Sequence, residues 1–471
     1  MSKGIIRKHS KVIIVGAGAA GITAAIEFLD AGLDDITIVE ARDRIGGRVQ
    51  TDGEFGDLGA SWLHIPIDFI NDSNSNQDEV KEILEDLTNL DIINFARKNG
   101  FELIPEDETI AAFFNNQTIS EQRVYNEINK LSKRIETKLN QLENPKINKH
   151  SVKDSSISEV LRPIIQKNEF RRFIAETEFG GAEHGQELSK VSLLDLGDIF
   201  LRSSGLLCKQ GLGNLIHEYG SRCHHLIELN KRVESFNVMP NLVRISGSDT
   251  VTNQRFLYTA ERAIITLPIG VLQCDKKDFK ITHNLSIEKR MAISKIRMGT
   301  FNKVILKMDE KFFLKFGIEE NSQIHIHHDK IKTDFAMMAR PAGKNLIVAF
   351  IGGNDSMEFE KKGEEFAINQ VLNSLESAYG PNIRSYFEKG HFTNWNNDIY
   401  SRGSYSATEI DFADARKILN TPERDTLWMA GEACYSNGWQ THLIGAMLTG
   451  QNAADAILKK LNKDIGVGIA S

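Results

Sequence analysis

Residues 11 to 40 constrain this chain more than any other stretch, because they spell out a complete strand–turn–helix–strand unit. Val12 to Val15 is a short, β-branched apolar run that reads as a buried parallel strand. Gly16-Ala17-Gly18-Ala19-Ala20-Gly21 follows at once. Ile22 to Leu29 then reads as a helix closed by Ala31-Gly32, and Ile36 to Val39 as a second strand with Glu40 at its end. The three glycines do different things. Gly16 permits the tight turn, Gly18 lets the backbone approach a pyrophosphate, and Gly21 lets helix and strand pack closely. The helix start offers N–H groups and a partial positive charge to phosphates. Glu40 stands about 20 residues beyond the turn, where an acid accepts hydrogen bonds from ribose hydroxyls. The unit specifies a dinucleotide without separating FAD from NAD.

With 471 residues the chain exceeds what one core fills, about 250–300 residues, so two domains are expected. Its 64 acidic and 57 basic side chains leave a net charge of −7, which argues against nucleic acid or an anionic membrane as partner. Cys208, Cys223, Cys274 and Cys434 are widely spaced with no CxxC pair. Neither a metal site nor a disulfide framework is expected, and a reducing, cytoplasmic setting fits best. No signal peptide or membrane span of about 20 apolar residues is read.

The segment after the acid, Ala41-Arg42-Asp43-Arg44-Ile45-Gly46-Gly47-Arg48-Val49, brings two glycines close to the dinucleotide, and Arg48 can offer a planar fork to a phosphate. It resembles the extension found in the superfamily of FAD oxidoreductases that includes amine oxidases, protoporphyrinogen oxidase and phytoene desaturase. Later segments narrow the resemblance to the flavin-containing amine oxidases, and within them to polyamine oxidases. Asp57-Leu58-Gly59-Ala60-Ser61-Trp62-Leu63-His64 resembles their flavin-contacting loop, with Gly59 and Ala60 small enough to lie against the isoalloxazine ring. His64 stands where animal polyamine and spermine oxidases carry a tunnel-lining histidine. The family continues with Gly, whereas this chain has Ile65-Pro66, which leaves the local backbone path open. Gly299 to Leu306 resembles the strand whose lysine, here Lys303, faces the flavin N5 through a water.

Trp395 to Ser406 is similar to the segment before the C-terminal flavin motif. The resemblance implies that Trp395 packs near the flavin and that Tyr405 walls the substrate site. Ser404 takes the place of the cysteine that carries flavin covalently in monoamine oxidases, so a non-covalent flavin is expected. Leu427 to Glu432 and Gly445 to Gly450 resemble the strand end and helix that close the FAD site, which implies that Gly431 and Glu432 serve the ribityl or ribose hydroxyls. His442 and Leu443 would then stand at a helix start facing the ring. About one extra residue in this stretch leaves Trp439 and His442 as rivals for the substrate-side aromatic. Lys231-Arg232-Val233 resembles a strand whose valine backbone meets adenine, and Ile264 to Leu272 matches a further family signature.

The expected fold is α/β: a discontinuous Rossmann-like FAD-binding domain (1–70, 205–280 and 391–471) and an α+β substrate domain with a mixed sheet flanked by helices (71–204 and 281–390). The expected function is FAD-dependent oxidation of an amine, preferably a polyamine, with Lys303 and His64 catalytic and Trp62, Trp395, Tyr405 and Trp439 lining the substrate site. The partners would be the amine and O₂, with H₂O₂ as product, in a monomer or homodimer. Monoamine or L-amino-acid oxidation, a protoporphyrinogen oxidase or desaturase, and a non-enzymatic flavoprotein are the alternatives.

Overall fold

The computed structural model describes residues 4–66, 92–106, 109–143, 153–197, 203–274, 285–436 and 438–464. The Gly-rich unit forms as expected, with wider bounds: strand Ile6–Val15, helix Ala19–Asp30 and strand Ile36–Val39. Val12 to Val15 and all of Ile36–Val39 are buried on both faces, as a central parallel sheet requires. Ile6–Val15 pairs in parallel with Ile36–Val39 on one side and with Arg255–Ile265 on the other. Ile227–Glu228 extends the edge beyond Ile36–Val39, also in parallel. An antiparallel meander of Lys231–Met239, Leu242–Asp249 and Arg255–Ile265 completes the far side, and Leu427–Met429 docks in parallel on Arg255–Ile265. Segments more than 400 residues apart thus share one sheet.

A second seven-stranded sheet runs Phe387–Phe392, Phe301–Met308, Leu346–Gly352, Phe335–Ala339, Gln323–His327, Ile110–Phe114, Gln117–Ile119. It is antiparallel except where Gln323–His327 meets Ile110–Phe114, so it is mixed. Helices Gly353–Lys362 and Glu364–Tyr379 cover one face, burying Phe359, Val371 and Leu375. On the other side a separate apolar cluster joins Glu121–Glu143, Ile157–Ile165 and Glu169–Phe179. Ser156 begins the second of these helices with a reciprocal capping box to Glu159.

A small antiparallel sheet links the two parts: Trp62–Pro66 pairs with Ser203–Cys208, which pairs with Leu103–Pro105. The Ile65-Pro66 departure is accommodated here, since both residues continue an edge strand opposite Ser204 and Ser203. The expected divisions at 204/205 and 390/391 fall inside the paired strands Ser203–Cys208 and Phe387–Phe392, while those at 70/71 and 280/281 lie outside the described residues. Among the described residues no helix is long and apolar enough to cross a membrane.

Candidate active site

A cavity of ≈ 840 Å³ lies between the two sheets and takes its lining from both. That is toward the upper end for small-molecule sites, about 300–1,000 Å³. One end is the Gly-rich turn. Gly16 has φ of +108°, and a Cβ there would run into the Thr266 hydroxyl. A Cβ on Gly21 would strike the Gly16 carbonyl, so Gly21 acts beneath the cavity wall as a packing residue. Gly18 has open space where its Cβ would be, and Ala19 and Ala20 follow on the lining. The helix Ala19–Asp30 starts here with Gly18 as N-cap and no side-chain cap, so its first N–H groups are left for a ligand. Glu40 lines the cavity and accepts from the Ala17 and Arg42 amides at 2.8 and 2.9 Å. Burial pushes its carboxyl up, partly offset by these amides.

Ala41, Arg42, Gly47 and Arg48 continue this wall. The Arg42 guanidinium forks onto Asp398 at 2.9 and 2.7 Å and donates to Ser401, so it braces the site through Asp398. Arg48 donates through Nη1 to the Ser404 carbonyl and to Glu432 Oε1, at 2.7 and 2.9 Å. Glu432 Oε2 accepts from the Ser406 hydroxyl at 2.6 Å. Burial raises the Glu432 carboxyl, but Arg48, Arg416 and Ser406 outweigh it and hold it below the ordinary value. Gly431 lies on the lining with φ of +129°. Val233 also lines the cavity, at a bulge where the ladder skips one residue before Ser235.

Further in, Gly59, Ala60, Ser61 and Trp62 form one wall. A Cβ on Gly59 would overlap the Arg48 carbonyl, which itself accepts from Ala60 N. Lys303 is 2% exposed in the strand Phe301–Met308. Its ammonium donates to the Asp57 and Gly59 carbonyls and the Ser61 hydroxyl at 2.8, 2.6 and 2.5 Å, and lies 5.9 Å from the Trp62 ring centre. Burial lowers its pKa to about 8. Trp395 anchors the same loop by donating Nε1–H to the Leu58 carbonyl at 3.1 Å.

His64 and His442 meet edge to face with ring centres 4.4 Å apart. Burial, and then the neighbouring ring, hold His64 well below 6.5; burial also lowers His442. His442 Nδ1 lies 2.7 Å from the Gln440 carbonyl and therefore carries the proton, leaving Nε2 as acceptor. His442 and Leu443 both line the cavity, at the start of the helix Leu443–Asp464. The rivalry over the extra residue resolves here: Trp439 is 0% exposed, lies in the core 5.8 Å from the His442 ring, and does not reach the cavity. The expectation that Trp439 lines the cavity is corrected: of the two, only His442 is on its wall. Tyr405 lines the cavity and donates its hydroxyl to the Glu183 carbonyl at 2.5 Å. Ser404 is on the lining with its hydroxyl on the Gly299 carbonyl, while Cys434 is buried elsewhere with its thiol pushed up to about 12.

Three carboxyls on this wall had no motif to announce them: Glu106, Glu178 and Glu183. Depth in the molecule pushes Glu178 up to about 7 and Glu183 up to about 8, and Glu106 adds like-charge repulsion to both. Gln323 donates to Glu106 at 3.3 Å and accepts from His325 at 3.1 Å. Glu178 and Glu183 flank Phe179-Gly180-Gly181-Ala182 and Glu106 lies in a distant segment, a spacing that by itself assigns none of them to a cavity.

Comparison with known proteins matches this architecture. Residues 19–458 match the family model of flavin containing amine oxidoreductases. The chain is 25% identical to polyamine oxidase 5 of Oryza sativa subsp. japonica, over 97% of this chain and 89% of that protein. It is 26% identical to lysine-specific histone demethylase 1 homolog 3 of Arabidopsis thaliana, over 96% of this chain but 30% of that protein. Putrescine oxidase bound to putrescine shares the fold with a TM-score of 0.72 at 15% identity, over 96% of this chain and all of that one. The uncapped helix start and the open space at Gly18 fit an FAD along the cavity. The chain belongs to the flavin containing amine oxidoreductase family and is an FAD-dependent enzyme acting on amines.

Proposed function

We propose that the enzyme oxidises di- and polyamines at the carbon next to a nitrogen. The carrying observation is the trio Glu106, Glu178 and Glu183 on the same cavity as Lys303, His64 and Tyr405. A carboxylate cluster there favours a substrate with a second positive charge beyond the reacting nitrogen, because Coulomb attraction strengthens where water is scarce. An amino-acid substrate would call for an arginine there, yet among the described residues the cavity's arginines are Arg42, Arg48 and Arg232, all at the dinucleotide end.

Bound FAD supplies the hydride acceptor, so that the amine becomes an imine, which hydrolyses, and O₂ is reduced to H₂O₂. Gly16, Gly18, Ala19 and Ala20 would hold the pyrophosphate, Glu40 a ribose, Val233 the adenine, and Gly431 and Glu432 the hydroxyls between. Ala60, Ser61 and Leu443 would flank the ring. The absence of a thiol at Ser404 supports non-covalent attachment. Lys303 fixes the loop of Asp57 to Ser61 through its three bonds. His64 and His442, both held neutral, offer lone pairs to the amine, which must lose its proton before its carbon can give up a hydride. Trp62, Trp395 and Tyr405 exclude water and align the substrate chain.

The test is anaerobic mixing of the holoenzyme with spermine, spermidine, putrescine and benzylamine, following flavin absorbance. The polyamines should bleach the flavin at least about ten-fold faster than benzylamine at equal sub-saturating concentration. Equal rates, or bleaching by none of them, would sink the reading.

A further inference from the structure

The most heavily bonded buried charge in the described structure lies outside the cavity. Arg416, on the short helix Ala415–Asn420, is 1% exposed. Its Nε and Nη2 fork onto the Asp195 carboxylate at 2.6 and 2.9 Å. Its Nη1 donates to the Ser406 hydroxyl at 2.7 Å, and that hydroxyl in turn donates to Glu432 at 2.6 Å. Donors and acceptors alternate without conflict along the line Arg416, Ser406, Glu432, and Arg48 closes it from the cavity side. Asp195 comes from the helix Leu193–Leu196, which packs with the helical cluster beside the second sheet. Its remaining groups are also committed: the carboxylate accepts from Thr408 N at 2.8 Å, and the carbonyl accepts from Gln440 Nε2 at 2.5 Å. Gln440 is the residue whose own carbonyl holds the His442 proton.

We infer that Asp195 and Arg416 are a positioning pair for the cofactor site: through Ser406 they hold Glu432 in its FAD-binding rotamer and charge state, and through Gln440 they fix the loop that presents His442. The physical reason is the cost of a buried charge. An arginine with no access to water stays only if every donor is met. Asp195 meets two of them, and the rest go to groups beside Glu432, so the arginine's placement is determined by the helical part and read out at the dinucleotide. A hydroxyl between two charged groups transmits orientation, because the guanidinium can only donate to its lone pair and so leaves its single proton to the carboxylate. The two halves of the molecule are thereby coupled through side chains that contact no substrate.

The inference rests on Glu432 serving FAD. Ser406→Ala cuts the line at its thinnest point while leaving the Asp195–Arg416 fork and the surrounding packing in place. Apoprotein is prepared and titrated with FAD by flavin fluorescence, and apoprotein Tm is recorded in parallel. Ser406→Ala should bind FAD about ten-fold more weakly, as loss of a hydrogen bond to a charged group implies, while apoprotein Tm falls by only a few degrees, about what one lost bond on Arg416 Nη1 costs with the Ala433 carbonyl still accepting. On the acid side its FAD affinity should also begin to fall at a higher pH than that of the wild type, because Glu432 then loses a partner that keeps it ionised. Arg416→Lys keeps the charge but not the fork, and should weaken FAD binding more than Ser406→Ala does. Wild-type FAD affinity and a wild-type pH profile in Ser406→Ala would overturn the inference alone. Failure of wild-type apoprotein to take up FAD would overturn the cofactor-site reading with it.

Discussion

The two ends of the cavity recognise their ligands by different means. The dinucleotide end is made mostly of backbone: Gly16 in a left-handed conformation, an uncapped helix start at Gly18, a bulge at Val233. Its charges are largely spent on one another, Arg42 on Asp398 and Arg48 on Glu432. The opposite end is made of side chains: Glu106 from a loop, Glu178 and Glu183 from two successive helices, and His325 from a strand of the second sheet. A site built from backbone tolerates little change at a glycine but much among its neighbours. A site built from carboxyls can lose one charge and be retuned.

That contrast can be broken most sharply at Gly16. Gly16→Val combines a positive φ with overlap against Thr266, and FAD affinity should drop about 100-fold or more, leaving colourless protein on purification. Retained flavin would show that the turn can relax. Lys303→Met comes next. It leaves the carbonyls of Asp57 and Gly59 unpartnered, and stopped-flow measurements should find flavin reduction or reoxidation slowed by about 100-fold, with Lys303→Arg intermediate.

At the opposite end, Glu178→Gln with Glu183→Gln should raise the KM for spermine about ten-fold or more while changing the KM for benzylamine by less than about two-fold. The same carboxyls set a pH dependence. They ionise as pH rises through about 7 and about 8, while substrate ammonium groups stay charged to about 10. KM for polyamines should therefore fall as pH rises over that window. Stability runs the other way. The unfolded carboxyls titrate near 4.5, so the folded state holds the extra protons between there and 7–8. The stabilisation is full below about 4.5 and lost as pH rises through 7–8, and apoprotein Tm should decline across that range, less steeply in the double variant. The smallest effect is expected at Trp439→Phe: a loss of about 1–2 kcal/mol of stability from the core, with KM for spermine unchanged.

The same contrast explains what could be read from the amino-acid order. Gly16, Gly18, Gly21 and Glu40 are tied to fixed offsets because a turn, a helix start and a ribose distance have fixed geometry. Lys303 was legible as a cation inside an apolar strand, which must find partners; that the partners are two carbonyls and a hydroxyl of a loop about 240 residues away depends on how the sheets meet. The expected divisions at 204/205 and 390/391 fall inside paired strands, because strands that pair across hundreds of residues leave no local signal of their ends. Trp439 and His442 could not be told apart because one added residue rotates a loop, and only packing decides which ring goes to the core. Glu178 and Asp195 had no offset to betray them. One is a carboxyl whose meaning comes from the cavity it faces, and the other from an arginine 221 positions later.

The three bonds of Lys303 also carry an arithmetic of protons. An ammonium has three N–H groups and here has three acceptors, so the match is complete only while it is charged. Above its pKa of about 8 the amine keeps two N–H groups and gains a lone pair. Two carbonyls cannot turn to donate; the Ser61 hydroxyl can, so Ser61 reverses from acceptor to donor and the loop stays tethered. Ser61→Ala removes the third partner: the neutral amine's two N–H groups still meet the two carbonyls, whereas the ammonium is left with one N–H unmet, so the Lys303 pKa should fall below its wild-type value.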